Sequence, residues 1–498
     1  MQVRTTQILV NNLYKWGTET MNTKYALPMV LAGSVMLSGC WLDDDDDPIT
    51  TSVRVLHASS DAPPVNVRVN GDVVVPGADY KQAAVLKPSA GLADIAVDGL
   101  LPGGQTATVI SADGVSLRSD TSYDVIAVGK LANIEPLILN DTGERESADS
   151  VRLRVAHLSP VAQQAVDGPV EVYLTAAGDP LPDEASFSFS FKESVGPIEV
   201  PAGEYQIRVA IPGETPTVVY DSGSVPLAAG SDLLVGAVDN TTPETTPDGE
   251  GPVNNSPVSL IAVTSDGQVV ELFDSNQQAG VRVVHNSSDA PPVAILVDDT
   301  VAIPSLAFPN VAPGADTNNY AVIADGSRNL KVSPASSENP LNSAVIDADV
   351  VFGQASAKTV IAVNLLDAIE PLVLEDSVRS IATQASLRVV HGAVEAGTVD
   401  VFLVPTAEGG AGATVLNAEV NAPTLNDFEF KTNTGYLPVA AGDYVVFITD
   451  QDGNELLKTG SVSLSSGGVY TAIARLAPED EDNTAGLTVL DDFVMPPT

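Results

Sequence analysis

The chain has 498 residues, with 65 Asp+Glu against 23 Lys+Arg, for a formal charge of -42 at pH 7 and a pI near 4.1. So acidic a surface repels polyphosphate, which excludes a nucleic-acid partner, and a single Cys excludes a disulfide framework or a CxxC metal or redox site. With 44% hydrophobic residues and a mean hydropathy of +0.14 the chain can build cores rather than stay disordered. At roughly 100–150 residues per domain, its length predicts three to five of them.

In chain order, the first feature runs from Met21 to Cys40: a cationic start at Lys24, an apolar stretch from Ala26 to Leu37, then Leu37-Ser38-Gly39-Cys40. About a dozen apolar residues are too few to span a hydrocarbon core of ~30 Å, so the stretch reads as a signal peptide (1–39, with Met21 as the natural start) and not as a transmembrane helix. Leu-Ser-Gly-Cys resembles the lipobox of bacterial lipoproteins. The resemblance implies cleavage before Cys40, a diacylglycerol thioether on its sulfur and an acylated new N-terminus. Trp41, where an inner-membrane lipoprotein of this type would carry Asp, implies the outer membrane. A plain signal peptide with an incidental Cys is the competing reading. Residues 40–50 then form a tether, with five like charges from Asp43 to Asp47 that stay extended and solvated. They lack the spaced ligands and Gly turn of a calcium loop.

Beyond the tether the sequence repeats itself. Val53-Arg54-Val55-Leu56-His57, Leu153-Arg154-Val155-Ala156-His157, Val281-Arg282-Val283-Val284-His285 and Leu387-Arg388-Val389-Val390-His391 contain all four histidines. Each opens a unit of about 95–125 residues, which predicts four homologous domains. Units one and three share Ser-Ser-Asp-Ala-Pro-Pro-Val (59–65 and 287–293) and Ile-Glu-Pro-Leu (134–137 and 369–372). Units two and four share Ala202-Gly203-Glu204-Tyr205 with Ala441-Gly442-Asp443-Tyr444 instead. His57 and His285 are 228 positions apart, and His157 and His391 are 234. The order is therefore A-B-A′-B′, a duplicated pair: A over 51–143, B over 150–275, A′ over 280–376 and B′ over 385–493. A packed A–B interface is one reason a pair would be duplicated together.

Within each unit the pattern is all-β. Val65-Asn66-Val67-Arg68-Val69 alternates and runs into Asn70-Gly71, a hairpin signal. Short strands separated by turn residues, with no 3.6-residue apolar period beyond the signal peptide, predict sheets that pack on each other as β-sandwiches. Two polar inserts, 240–256 and 477–486, fall in the last hairpins of the B units and read as solvated loops.

The opening at 53–65, Val-Arg-Val-x-His-Ala-Ser-x-Asp-Ala-Pro-x-Val, resembles the domain-of-unknown-function family 4397. Unit three keeps it with Asn286 for the Ala, while units two and four replace Ser-Asp-Ala-Pro. The resemblance implies tandem Ig-like sandwiches in a bacterial envelope or secreted protein, and no activity.

The histidines end strands four residues before Asp61 and Asp289, so an imidazole can hydrogen-bond into the turn that follows. The B units keep His157 and His391 without the Asp, which points to a role in the fold. A metal ligand or a catalytic base is the competing role, but one His per domain with no Cys beside it leaves only carboxylates to complete a site. No Gly-x-Ser-x-Gly elbow or phosphate-cradling Gly loop is present. Asp298-Asp299 and the acidic residues of 479–482 lack calcium-loop spacing, which leaves weak calcium binding between domains and no cofactor.

These readings converge on a non-enzymatic, lipid-anchored outer-membrane protein, a stalk of four sandwiches for adhesion, ligand display or surface scaffolding. Domains of roughly 30–40 Å placed in line would reach on the order of 150 Å. Its partners are the membrane, through Cys40, and a protein or glycan ligand. The alternative is a periplasmic structural or carbohydrate-binding module acting with envelope partners. The two Trp, one beside Cys40 and one before Met21, count against sugar-stacking platforms.

Overall fold

The computed structural model describes residues 49–166, 168–242, 256–314, 320–406, 416, 423–477 and 485–493. The signal peptide, Cys40, Asp43–Asp47 and most of both inserts lie outside them. The first unit contains β1 (Ser52–Ala58), β2 (Val65–Val69), β3 (Asp72–Ala78), β4 (Ala83–Leu86), β5 (Gly91–Leu101), β6 (Gln105–Leu117), β7 (Ser122–Val128) and β8 (Glu135–Asp141). They form two sheets, in the orders β4-β1-β7-β8 and β3-β2-β5-β6. The other three units repeat this plan, giving eight separate sheets of four or five strands. The chain is a tandem array of β-sandwiches.

In every unit the histidine strand lies near the centre of one sheet, here called the inner sheet, and pairs in parallel with a strand that begins a hairpin near the end of the unit. β1 pairs with β7, Ser150–His157 with Asp232–Asp239, Ala279–His285 with Ala357–Val363, and Ala385–His391 with Val469–Leu476. All other pairings are antiparallel among the described strands. The outer sheets alternate as expected: Val65 and Val67 are buried while Asn66 and Arg68 are only partly covered. The inner sheets do not alternate, and Ala279–His285 and Ala357–Val363 are buried at every position. Strands in parallel pairs are normally covered on both faces, so something must lie on the far side of each inner sheet.

The cover is the neighbouring sandwich. One apolar cluster joins Leu56, Ala58, Ile126 and Val128 of A to Ala156, Leu158, Leu234, Val238, Ile261 and Val263 of B. A second joins Val284, Ile361, Val363 and Leu374 of A′ to Val390, Ile473 and Leu490 of B′. Each pair is a four-layer stack with the two inner sheets face to face. Burying an Ile, Leu or Val in such a seam contributes roughly 1.5–3 kcal/mol. The duplication of a pair, and not of a single domain, follows from this seam, because neither inner sheet is covered without its partner. The in-line stalk of about 150 Å does not describe the pairs, since within each the sandwiches stack side by side.

Asn70 and Gly71 adopt φ of 52° and 92°, the conformation that a two-residue hairpin requires. Asp298 and Asp299 hold the matching turn of A′ at 46° and 65°, between Val297 and its partner Thr300. They are therefore hairpin residues, and the Asp298 side chain accepts the Asn329 N–H at 3.0 Å.

Candidate functional site

The repeat motif is a two-faced strand. On β1, Val53 and Val55 face the core of their own sandwich, and His57 lines the same interior. Leu56 and Ala58 point the other way, into the seam with B, and Arg54 reaches carbonyls of that neighbour.

Each imidazole closes the turn after its strand. Ser59 donates its N–H to His57 Nδ1 at 3.3 Å, which leaves the proton on Nε2 to donate to Pro63 O at 3.2 Å. His285 bonds Pro291 O at 3.2 Å, and His391 bonds Gly397 O at 2.7 Å while accepting from Ala393 N at 3.3 Å. His157 accepts the Ser159 N–H at 3.4 Å. Burial disfavours the charged ring, so the pKa of His57 and of His157 is pushed down to about 4, and those of His285 and His391 fall as well. These are neutral rings bound into backbone turns.

Asp61 and Asp289 act in a neighbouring turn. Their Oδ1 atoms accept the N–H of Leu131 and of Leu366, each at 2.8 Å, tying the loop after the first strand to the loop before the last. In B the position of Asp61 is Val161, and the turn is held instead by Ser159, the counterpart of Ser59, whose Oγ accepts from Ala162 N and caps a short helix, Pro160–Ala165. None of the six motif residues converges on another from a different sandwich to form a reactive cluster. Among the described residues, no group of three or more His, Cys, Asp or Glu is placed to hold a metal.

The residues that sequence reasoning missed lie in the seam. The motif arginines, three positions before each His, meet one shared carboxylate per pair. Asp124 takes Arg54 Nε at 2.7 Å on Oδ1 and Arg154 Nη1 at 2.8 Å on Oδ2. Arg54 also donates to Val263 O and Thr264 O of B, and Arg154 to Asn140 O of A. In the second pair the carboxylate has moved. Thr359 occupies the place of Asp124, and Asp376 at the end of the last A′ strand takes Arg388 at 2.5 Å, Thr359 at 2.5 Å and Tyr320 at 3.0 Å. Arg282 sits 3.8 Å from the same carboxylate. The Asp376, Arg282 and Arg388 side chains are 0%, 0% and 2% exposed, so the triad sits wholly inside the protein.

A second polar cluster closes the other end of the A–B seam. Asp239 of B accepts from Ser60 and Lys130 of A at 2.6 and 2.8 Å and from its own Ser159 at 2.6 Å, while Tyr80 of A donates to its backbone carbonyl at 2.7 Å. Every histidine also meets an aromatic ring, Tyr80, Phe191, Phe308 or Phe430, at 6.1 to 6.3 Å between centroids. Three of these rings precede a lysine whose N–H bonds the carbonyl of that same His at 2.8 Å. Those lysines cross the seams: Lys81 to Glu271, Lys192 to Glu135 and Lys431 to Glu370. Glu135 and Glu370 are the acidic residues of the Ile-Glu-Pro-Leu segments, so that shared segment marks a seam contact. The signal was present as an aromatic-Lys dipeptide, but it stands 23, 34 and 39 residues after its histidine and so falls outside any fixed spacing.

Cavities near these groups are small. A polar one of about 90 Å³, room for about three waters, lies between Arg54, Asp124, Asp141, Arg154 and Asp232. An apolar one of about 40 Å³ lies inside the A sandwich beside His57. Ligand pockets typically hold about 300–1,000 Å³.

A family model described as Domain of unknown function (DUF4397) matches residues 51–168, 279–402 and 407–498. The chain belongs to this family. The first two matches run past the end of one sandwich and take in the opening strand of the next, Ser150–His157 or Ala385–His391. That is the strand stacked across the seam. No curated protein matches the chain. Among solved structures, the Bacillus anthracis TIE protein is 12% identical over 82% of this chain and 65% of its own, with a TM-score of 0.12. The Bacteroides ovatus mixed-linkage glucan utilization locus SGBP-B, in complex with mixed-linkage heptasaccharide, is 10% identical over 86% and 97%, with a TM-score of 0.10. The chain thus spans about two thirds of the first protein's length, and TM-scores at this level fix neither fold nor function.

Proposed function

We propose that this protein is a non-enzymatic component of the cell envelope, lipid-anchored at Cys40 in the outer membrane, that presents paired sandwiches for adhesion, ligand display or scaffolding. The observation that carries this reading is the place of the motif's reactive side chains. The four histidines close turns, and the arginines and their shared aspartates bridge the seams. With the reactive groups engaged inside, the outer sheets and their loops are left to meet a protein or glycan. They carry isolated exposed apolar residues such as Val73, Leu92, Val301 and Val351 on an acidic chain. Two or more acyl chains on Cys40 would hold the body stably at a bilayer, and among the described residues no helix is long and apolar enough to cross one.

Protease shaving of intact cells tests the reading, with radiolabelled palmitate incorporation and a Cys40→Ala variant as controls. The proposal expects palmitate on the wild type only, and digestion of the sandwiches on whole cells. Protection until the outer membrane is permeabilised would remove adhesion and leave a periplasmic module. Absence of label on Cys40 would remove the anchor.

A further inference from the structure

Four homologous sandwiches in one chain present four homologous apolar faces, and nothing in the shared fold stops A from docking on B′ or A′ on B. Three positions in the seams differ in a coordinated way. The residue after the motif His is Ala58 in A and Asn286 in A′, and it is Leu158 in B and Gly392 in B′. On the neighbouring parallel strand, Gly236 in B is replaced by Ile473 in B′; the registers Gly236–Ala156 and Ile473–Val390 make these positions equivalent.

Each set fits only itself. In the first pair Leu158 fills the seam beside Ala58, and it lies so close over Gly236 that a Cβ there would stand 2.7 Å from Leu158 Cδ1. In the second pair Asn286 fills the same region from the opposite side. Its Nδ2 donates to Gly392 O at 2.9 Å and stands 2.4 Å from where a Gly392 Cβ would be, nearer than the 2.9 Å from that Cβ to Ala474 O of the same sandwich. Ile473, fully buried in that seam, supplies the bulk that Gly236 gives up. A large B residue thus meets a small A residue in one pair, and the reverse holds in the other.

We infer that Ala58/Leu158/Gly236 and Asn286/Gly392/Ile473 form a docking code that makes each A-type face accept only its own B-type neighbour. Docking A′ on B would drive the Asn286 amide into Leu158, and any side chain at the Gly392 position collides with it. Docking A on B′ would set Ala58 over Gly392 and leave a void where the carboxamide belongs, and unfilled core volume is destabilising. The competitor is both the wrong sandwich of the same chain and the matching sandwich of a second copy, and specificity here comes from disfavouring the wrong partner.

Transplanting the code in the full chain tests it. Gly392→Leu alone should lower the melting temperature of the protein clearly. The triple variant Asn286→Ala/Gly392→Leu/Ile473→Gly, which writes the first pair's code into the second, should recover most of that loss. Its two pairs would then be alike at all three code positions, so refolding from urea at micromolar concentration should give several-fold more dimer than wild type on size-exclusion chromatography. The reverse transplant, Ala58→Asn/Leu158→Gly/Gly236→Ile, should behave in the same way and guards against one triple failing for local reasons. A Gly392→Leu protein that melts as wild type, two triples that recover nothing, or recovered triples that refold with the wild-type dimer fraction would each overturn the inference.

Discussion

The inner and outer sheets are built from the same alphabet of short β-strands, yet they carry different work. Outer strands such as β2 alternate between buried and partly exposed positions, and the outer sheets hold exposed apolar residues such as Val73, Leu92, Val301 and Val351. Central strands of the inner sheets, such as Ala279–His285 and Ala357–Val363, are covered on both faces, and the inner sheets hold all four histidines, the paired arginines and their aspartates. The difference teaches that the most recognisable residues of the motif serve assembly.

Substitutions should separate the two regions by the size of their effect. The largest is expected at the seam charge: Asp124→Ala leaves Arg54 and Arg154 buried without their carboxylate, and breaking a buried ion pair in this manner costs about 3–5 kcal/mol. Urea denaturation should register it as a lower midpoint.

Acid should come next. The folded His57 and His157 have pKa values near 4 against 6.5 in the unfolded chain, so the unfolded state binds the proton first as pH falls. Their contribution is fully present above pH 6.5 and is lost between pH 6.5 and 4, by at most roughly 3 kcal/mol for each ring. Histidine NMR at pH 5.5 should show neutral rings in the native protein and a lower urea midpoint than at pH 7.5. Protonated rings in a native spectrum at that pH would contradict the turn-closing geometry.

A smaller effect is expected between the pairs. Arg379, in the link from A′ to B′, donates to Ser60 O at 2.8 Å and Ala62 O at 2.5 Å, pairs with Asp79 and lies over the Tyr80 ring. Arg379→Ala should cost about 2 kcal/mol, in the range of charge-assisted hydrogen bonds. It should also speed hydrogen exchange at Ala382, whose N–H bonds Asp61 O at 2.8 Å across the same contact. On an outer sheet, Val351 is 64% exposed, and Val351→Thr should stay within about 0.5 kcal/mol by thermal melting.

Much of this division was legible in the sequence. The strands, the Asn70-Gly71 hairpin and the A-B-A′-B′ order follow from alternation, turn residues and repeats. The parallel pairing of β1 with β7 did not follow, because pairing direction depends on which strands meet across about 70 residues. The seam left a trace in Val360-Ile361-Ala362-Val363, a run with no polar alternation that signals a strand covered on both faces. Such a run says that a cover exists and not which surface supplies it. The shared carboxylate was hidden for a further reason: it stands on β7 in the first pair and on the last A′ strand in the second, so no repeat position marks it.

The central claim is that A and B share one buried seam through their motif residues, and a double-mutant cycle between the two sandwiches tests it most directly. Asp124→Asn in A and Arg154→Met in B, measured singly and together by urea denaturation of the full chain, should show a coupling of about 2 kcal/mol or more, as contacting buried groups do. Additivity within about 0.5 kcal/mol would mean that the two sandwiches fold without this contact, and the paired architecture would fall with it.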